Sequence, residues 1–358
     1  MKSYCKQLRI THAVVYNAYE MWLSGDSGRK NAWRIKEEYG SIHNLVDEII
    51  YEIDNRELRF RPIRYTIRRE RGRGKERCIG QESVKQQIVD YIVLYCLEDF
   101  YNKKIGFYQV ASVKGKGPLF GARQVQKWIQ GDDAPIYAHC DIKKCYESFD
   151  KEAIYHFYKK YIHSRDLMYV ISCLLKSYKN GLSIGSAFSL KTAQLMLSFA
   201  YHKVEEMHWY RRGVSHKSVT HQIWYADDFY LFSTNKRELK KAIRQVAIFL
   251  CDNFGLFVKP WKISRTDSEP VDFAGFVVRK DCITVRDETY LRVRRTYTRY
   301  QTKPTIKRAR SVCSYWGYFK NTDSKTTVSK HGYGSTFRNA KHLVSGHSKR
   351  SINLNKNL

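Results

Sequence analysis

The stretch Gln222-Ile223-Trp224-Tyr225-Ala226-Asp227-Asp228-Phe229-Tyr230-Leu231-Phe232 decides how this chain is read. Two short aromatic and β-branched runs flank an Ala-Asp-Asp tip, the pattern of a β-hairpin with paired carboxylates at its turn. Adjacent carboxylates repel each other and are costly to bury unless a cation lies between them. The plain alternative is an acidic surface turn, since Asp is a common turn residue.

A third carboxylate upstream changes the balance. In Pro135-Ile136-Tyr137-Ala138-His139-Cys140-Asp141-Ile142, the residues Ile136, Ala138, Cys140 and Ile142 alternate with Tyr137, His139 and Asp141. Period two predicts a strand with Asp141 on the face opposite the apolar set. Such a strand beside the Asp-Asp hairpin would make three carboxylates converge, enough to hold two divalent cations for in-line phosphoryl transfer. All-oxygen ligands point to Mg2+, with Mn2+ as a substitute.

Composition limits the partners. The net charge is +29, from 64 Lys and Arg against 35 Asp and Glu, which points to a polyanion such as nucleic acid. The basic residues are spread along the whole chain, which argues against a membrane-surface protein. A hydrophobic content of 43% over 358 residues supports a core in two or three lobes. The nine cysteines include no C-x-x-C pair, so zinc is not expected, and they read as free thiols of a cytoplasmic protein. Lys2, Lys6 and Arg9 precede no apolar core of a signal peptide, and no apolar run is long enough to span a bilayer.

Tyr225-Ala226-Asp227-Asp228, with Asp141-Ile142-Lys143-Lys144-Cys145-Tyr146-Glu147-Ser148 upstream, resembles the catalytic palm of bacterial reverse transcriptases of the group II intron and retron-like kind. The resemblance implies an α+β right-hand polymerase, with fingers, a palm of antiparallel sheet plus helices, and a helical thumb. The expected division is 1–130 for N-terminal helices and fingers, 131–280 for the palm (with fingers helices near 155–180), and 281–358 for a basic thumb and tail. The metal set it implies is Asp141, the adjoining Ile142, Asp227 and Asp228.

Other segments take roles from the same resemblance. Lys75 and Arg77 match a K-x-R-x-I segment of the fingers that holds the incoming triphosphate, a task suited to a bidentate Arg and a point-charge Lys. Tyr146, five residues after Asp141, matches the aromatic gate that excludes a 2′-hydroxyl. Gly181 to Leu190 resembles Gly-x-Pro-x-Gly-x-x-x-Ser-Gln. Gly185 and Ser189 match as nucleotide contacts, while Ser183 replaces the Pro and Leu190 the Gln. Lys262 matches the lysine that neutralises or protonates departing pyrophosphate. Lys114 and Lys116 match a template-contacting Gly-Lys-Gly segment, and Gly275 matches the hairpin that grips the primer. Arg292, Arg294 and Arg295 open a basic, aromatic-interleaved thumb that would track a duplex backbone. The last forty residues, with His331, Gly332, Gly334, Gly346 and His347, are polar and weakly periodic and are expected to order only on RNA.

The implied partners are an RNA template, a DNA primer or product, and dNTPs, with an accessory protein or a second copy as further candidates. The compact form is similar to defence-associated "unknown group" reverse transcriptases, whose template is a structured non-coding RNA, and to those of diversity-generating retroelements. An RNA-binding scaffold with a vestigial palm is the reading from another class.

Overall fold

The computed structural model describes residues 4–6, 8–69 and 76–356, with 348–356 as backbone only. Four helices come first: α1 (His12–Ser24), α2 (Asp26–Asn31), α3 (Trp33–Tyr39) and α4 (Ile42–Asp54). Ser41 caps α4 by accepting the Asn44 N–H, and Leu45, Val46, Ile49, Ile50 and Ile53 form its buried stripe. Strands β1 (Arg64–Arg69) and β2 (Glu76–Gln81) then pair antiparallel, in register from Arg64 with Gln81 to Arg69 with Glu76. Lys75 falls in their turn, outside the described residues.

Helices α5 (Val84–Cys96), α6 (Glu98–Lys104) and α7 (Pro118–Gln130) lead to β3 (Ile136–Asp141). A short α8 (Cys145–Ser148), then α9 (Lys151–Tyr161), α10 (Arg165–Ser177) and α11 (Ala187–Glu205), separate it from a small hairpin, β4 (His208–Arg211) and β5 (Val214–Lys217). The Asp-Asp hairpin follows as β6 (His221–Tyr225) and β7 (Asp228–Ser233), then α12 (Lys236–Phe254) and β8 (Ile263–Arg265). Asn235 caps α12 by accepting the N–H groups of Arg237 and Glu238. Gly255, at φ +66°, ends it with Leu256 N–H bonded back to the Leu250 carbonyl, a Schellman closure.

The central sheet has the order β6-β7-β3-β8, antiparallel throughout. Its register sets Asp141 directly opposite Asp228, His139 opposite Tyr230 and Tyr137 opposite Phe232. Ala138, Cys140, Phe229 and Leu231 face a large core shared with the N-terminal helices and α9 to α12. The opposite face, which carries Asp141, is covered too. Tyr137, Tyr230 and Phe232 pack there with Val125, Trp128 and Ile129 of α7 and with the three-stranded sheet β9 (Val271–Phe273), β10 (Phe276–Val278) and β11 (Ile283–Val285). The strand ends holding the carboxylates, with His139 beside them, come free of this packing.

The C-terminal helices α13 (Asp287–Thr302), α14 (Ile306–Lys320), α15 (Lys325–Lys330) and α16 (Tyr333–Lys356) have their own core of Val293, Tyr297, Tyr300, Ala309, Val312, Phe319, Tyr333 and Ala340. The described part of the last forty residues is mostly helical, with Tyr333, Ala340 and Val344 spaced to reach one apolar face. Among the described residues no helix is long and apolar enough to cross a membrane.

Candidate active site

Tyr225 and Asp228 form the last pair of the β6–β7 hairpin, leaving Ala226-Asp227 as a two-residue turn. Ala226 sits at φ +55°, a left-handed conformation that costs a non-glycine residue about 1 kcal/mol or more. Asp227 is thereby held at the tip, and its carbonyl accepts the Ile142 N–H at 3.3 Å, which ties the turn to the end of β3. On the other side, Asp141 accepts the Lys259 N–H through its carbonyl at 2.8 Å, and Lys143 N–H bonds the Phe257 carbonyl at 2.8 Å. Ile142 itself is buried and bridges Val258, so it serves as backbone anchor.

The three carboxylates lie at adjoining backbone positions, but each has its own environment. Oδ2 of Asp141 receives Lys259 Nζ at 2.7 Å, and its buried Oδ1 has no partner. Asp228 Oδ1 pairs with His139 Nε2 at 2.9 Å, and the imidazole stacks on Tyr230 at 4.4 Å between centroids. The Asp227 carboxyl is held above the usual range, first by burial and then by repulsion from Asp228 and Asp141, with Arg77 opposing. Among the described residues, no group of three or more His, Cys, Asp or Glu side chains is arranged to hold a metal ion. Asp141 pairs with Lys259 and Asp228 with His139, while Asp227 lies close enough to both other carboxylates to be repelled by them. The donor chemistry nonetheless fits a hard divalent cation. The orphaned Oδ1 of Asp141 and the crowded Asp227 are oxygens that a cation would satisfy.

The lysine at this site is Lys259, not Lys262. Lys262 Nζ is committed to Glu269 at 2.7 Å and is largely exposed. The antiparallel bridge between Ile142 and Val258 brings the next residue, Lys259, onto Asp141. This pairing is long-range, and no local pattern announces it. His139 was legible, because period two places it on the face of Asp141.

Above the carboxylates is an open cleft of about 380 Å³, lined by Arg77, Asp141, Tyr146, Ile184, Asp227 and Lys259. Arg77 reaches it from β2 and exerts its charge on both Asp227 and Tyr146. Tyr146 lies on α8, and burial pushes its phenol well above the ordinary tyrosine range. Its carbonyl accepts the Leu182 N–H at 2.7 Å. Gly181, at φ +41°, packs so closely that a Cβ there would collide with that carbonyl oxygen. Gly181 is the first glycine of the family-like segment, and its work here is to seat Tyr146.

Gly185 and Ser189 do not line the cleft. Gly185, at φ +116°, lies against the Gly80 carbonyl of β2, and Gly80 N–H bonds the Ile184 carbonyl at 2.8 Å. Ser189 is fully buried, and its Oγ accepts the Ser183 N–H at 3.1 Å. Proline at 183 would lack that N–H, which accounts for the serine. Both residues build the loop and do not line the cleft: β2 docks on Gly185, and Ser189 is buried within the loop. The loop is held from behind by a carboxyl pair not foreseen from sequence. Buried Asp90 accepts Ser186 Oγ at 2.6 Å and Phe188 N–H at 3.0 Å, beside buried Glu82.

The remaining residues lie around this centre. Lys114 is exposed in the turn before α7, whereas Lys116 folds back, with Nζ bonded to the Phe107 carbonyl at 2.6 Å and 3.7 Å above that ring. The Ala274-Gly275 turn has both residues at positive φ, +46° and +100°. It stands beside the Asp-Asp hairpin, where Phe273 meets Tyr225 edge-on at 6.0 Å. Arg292 and Arg295 line an open groove with Arg299 and Tyr315, and Arg294 adjoins Arg295 on the same exposed side of α13.

The family described as reverse transcriptase (RNA-dependent DNA polymerase) matches residues 67–278, more than half of the chain. No curated protein matches it. Among solved structures, the chain is similar to a BmCPV RNA-dependent RNA polymerase at elongation state, with TM-score 0.47 and 10% identity over 83% of this chain. It is also similar to an apo telomerase from Candida tropicalis, with TM-score 0.41 and 16% identity over 63% of this chain. This chain spans 28% of the first and 55% of the second.

Proposed function

We infer, from the premise that this chain belongs to the reverse transcriptase family, that it extends a DNA primer on an RNA template. The observation that carries this is that Asp141 and Asp227 line a cleft with Arg77 and Tyr146, while Asp228 pairs with Asp141 across the strands beside it. The residues that would hold divalent cations, two Mg2+ in this reading, are Asp141, Asp227 and Asp228. Such ions supply activation of the attacking oxygen and stabilisation of the leaving one. Arg77 binds the triphosphate by bidentate contact. Tyr146 occupies the space of a 2′-hydroxyl. Lys259, beside Asp141, supplies positive charge where the triphosphate enters. The proposed division is fingers up to 130, palm over 131–280 and thumb from 281.

The proposed setting is bacterial anti-phage defence in the cytoplasm, with a structured non-coding RNA as template. It rests on the family resemblance and on the departures at Ser183 and Leu190. The test is primer extension with dNTPs on an RNA template in magnesium, with sequencing of the nucleic acid that co-purifies. RNA binding without extension would leave a scaffold with an inactive palm.

A further inference from the structure

We propose that the β4–β5 hairpin is a docking site for single-stranded RNA, separate from the active site. The inference rests on the RNA-templated reading above. The hairpin is rooted at the end of the central sheet away from the carboxylates. Its base is closed by Ser218 N–H to the Met207 carbonyl at 2.9 Å. Beyond it, Thr220 N–H bonds Phe232 at 2.8 Å and Ser233 Oγ bonds the Ser218 carbonyl at 2.8 Å. Met207, Ser218 and Val219 are buried, while every residue from Tyr210 to Lys217 is exposed. From His221 the strand β6 runs to the Asp-Asp turn, about 16 Å away at the usual rise per residue.

Such an arm has a solvation problem. A two-stranded hairpin is marginal in water, and this one exposes 73% of Tyr210 and 57% of Val214. Its charge is one-sided: Arg211, Arg212 and Lys217 stand with His208 and His216, and no Asp or Glu occurs from 207 to 217. The register sorts these side chains onto two faces. Trp209 stacks on His216 at 4.7 Å, on the face shared with Arg211 and Val214. Tyr210 lies on the other face, with His208 and Lys217. Cations beside the exposed Tyr210 ring on one face and the Trp209–His216 stack on the other suit a phosphate backbone whose bases are free to stack. A duplex hides its base faces and would use only the charges, so the rings select a single strand.

The test uses the full chain and the variant Y210A/R211A/R212A, with a labelled oligouridylate as binding probe. A second assay follows dNTP addition to a short primer–template duplex. RNA affinity is expected to fall about tenfold or more, since stacking and phosphate contacts are lost together, while extension of the short duplex stays within about twofold of wild type. The conservative R211K/R212K protein should keep most of the affinity, and a melting curve equal to wild type shows that each variant folds. Unchanged affinity for oligouridylate overturns the proposal. So does loss of a co-purifying protein with RNA binding intact. Failure of the wild type to extend any RNA-templated primer would sink the polymerase reading and leave the binding result standing.

Discussion

Nζ of Lys259 lies 2.7 Å from Oδ2 of Asp141, and the backbone N–H of the same lysine donates to the Asp141 carbonyl at 2.8 Å. One residue thus fixes the end of β3 and neutralises its carboxylate. Lys262, three residues on, points to Glu269 instead. Lys259→Ala should therefore lower kcat/KM for dNTP addition about 10²-fold, the scale for losing one aligned charge at a reacting centre. Lys262→Ala should change it by about twofold or less, as expected of an exposed ion pair. The Lys259→Ala enzyme should also reach half-maximal rate at lower magnesium, since the competing ammonium is gone. Steady-state kinetics of the two variants decide the matter, and a larger defect in Lys262→Ala would reverse the assignment.

The carboxyl pair behind the loop gives a pH signature. Burial raises Glu82 and Asp90 above ordinary carboxyl values, and the two share the same desolvated space. The folded protein therefore keeps a proton there that the unfolded chain releases above the ordinary glutamate value of 4.5. Stability from this site is full below that value and is lost as pH rises toward the raised folded one. Glu82→Gln carries its hydrogen permanently and should flatten the decline of Tm with rising pH. Asp90→Ala should cost about 1–3 kcal/mol at any pH, because Ser186 and Phe188 lose their acceptor. Melting curves of Glu82→Gln that run parallel to wild type across neutral and alkaline pH would refute the shared proton.

These two cases mark the limit of what the sequence discloses. Period two around Asp141 was legible, since it is a local pattern with one physical cause. Lys259 was not, because the segment between Gly255 and β8 has little regular structure and the Ile142–Val258 bridge sets its register. The family resemblance places Gly185 and Ser189 at the nucleotide, yet Gly185 lies against Gly80 of β2 and Ser189 is buried inside its own loop, tertiary contacts that the motif does not encode. The helices of the tail were not legible, because its glycines and polar residues mask the apolar spacing of Tyr333, Ala340 and Val344.

Salt should expose the C-terminal helices. Arg292, Arg295 and Arg299 follow one another at helical spacing along an open groove of α13, while Val293, Tyr297 and Tyr300 face the core. If these and the other basic residues neutralise about 6–10 phosphates, duplex affinity should drop about 10³–10⁵-fold between roughly 50 and 200 mM salt. Arg295→Ala should make the slope of log affinity against log salt shallower by about one, with no change in fold. Electrophoretic or anisotropy titrations at several salt concentrations measure both, and a flat dependence would remove this surface from the binding path.

The last prediction concerns the sugar. Tyr146 is placed by backbone contacts, with its carbonyl bonded to Leu182 N–H at 2.7 Å and crowded by Gly181 at φ +41°. The ring lines the same cleft as Asp141 and Asp227. A nucleotide whose triphosphate meets Arg77 and Lys259 would set its ribose over this ring, and a 2′-hydroxyl would collide with it. The rejection is steric, so shortening the side chain should relieve it without adding a contact. Each tenfold preference corresponds to about 1.4 kcal/mol of transition-state free energy. Tyr146→Ala should raise kcat/KM for a ribonucleotide while lowering that for the matching deoxynucleotide by less. Gly181→Ala should act in the same direction more weakly, because its methyl pushes on the Tyr146 backbone and shifts the ring without removing it. The ratio of kcat/KM for one dNTP and its NTP, measured in all three proteins, checks the gate. A wild type that uses both equally, or a Tyr146→Ala ratio unchanged from wild type, would reduce Tyr146 to a packed aromatic.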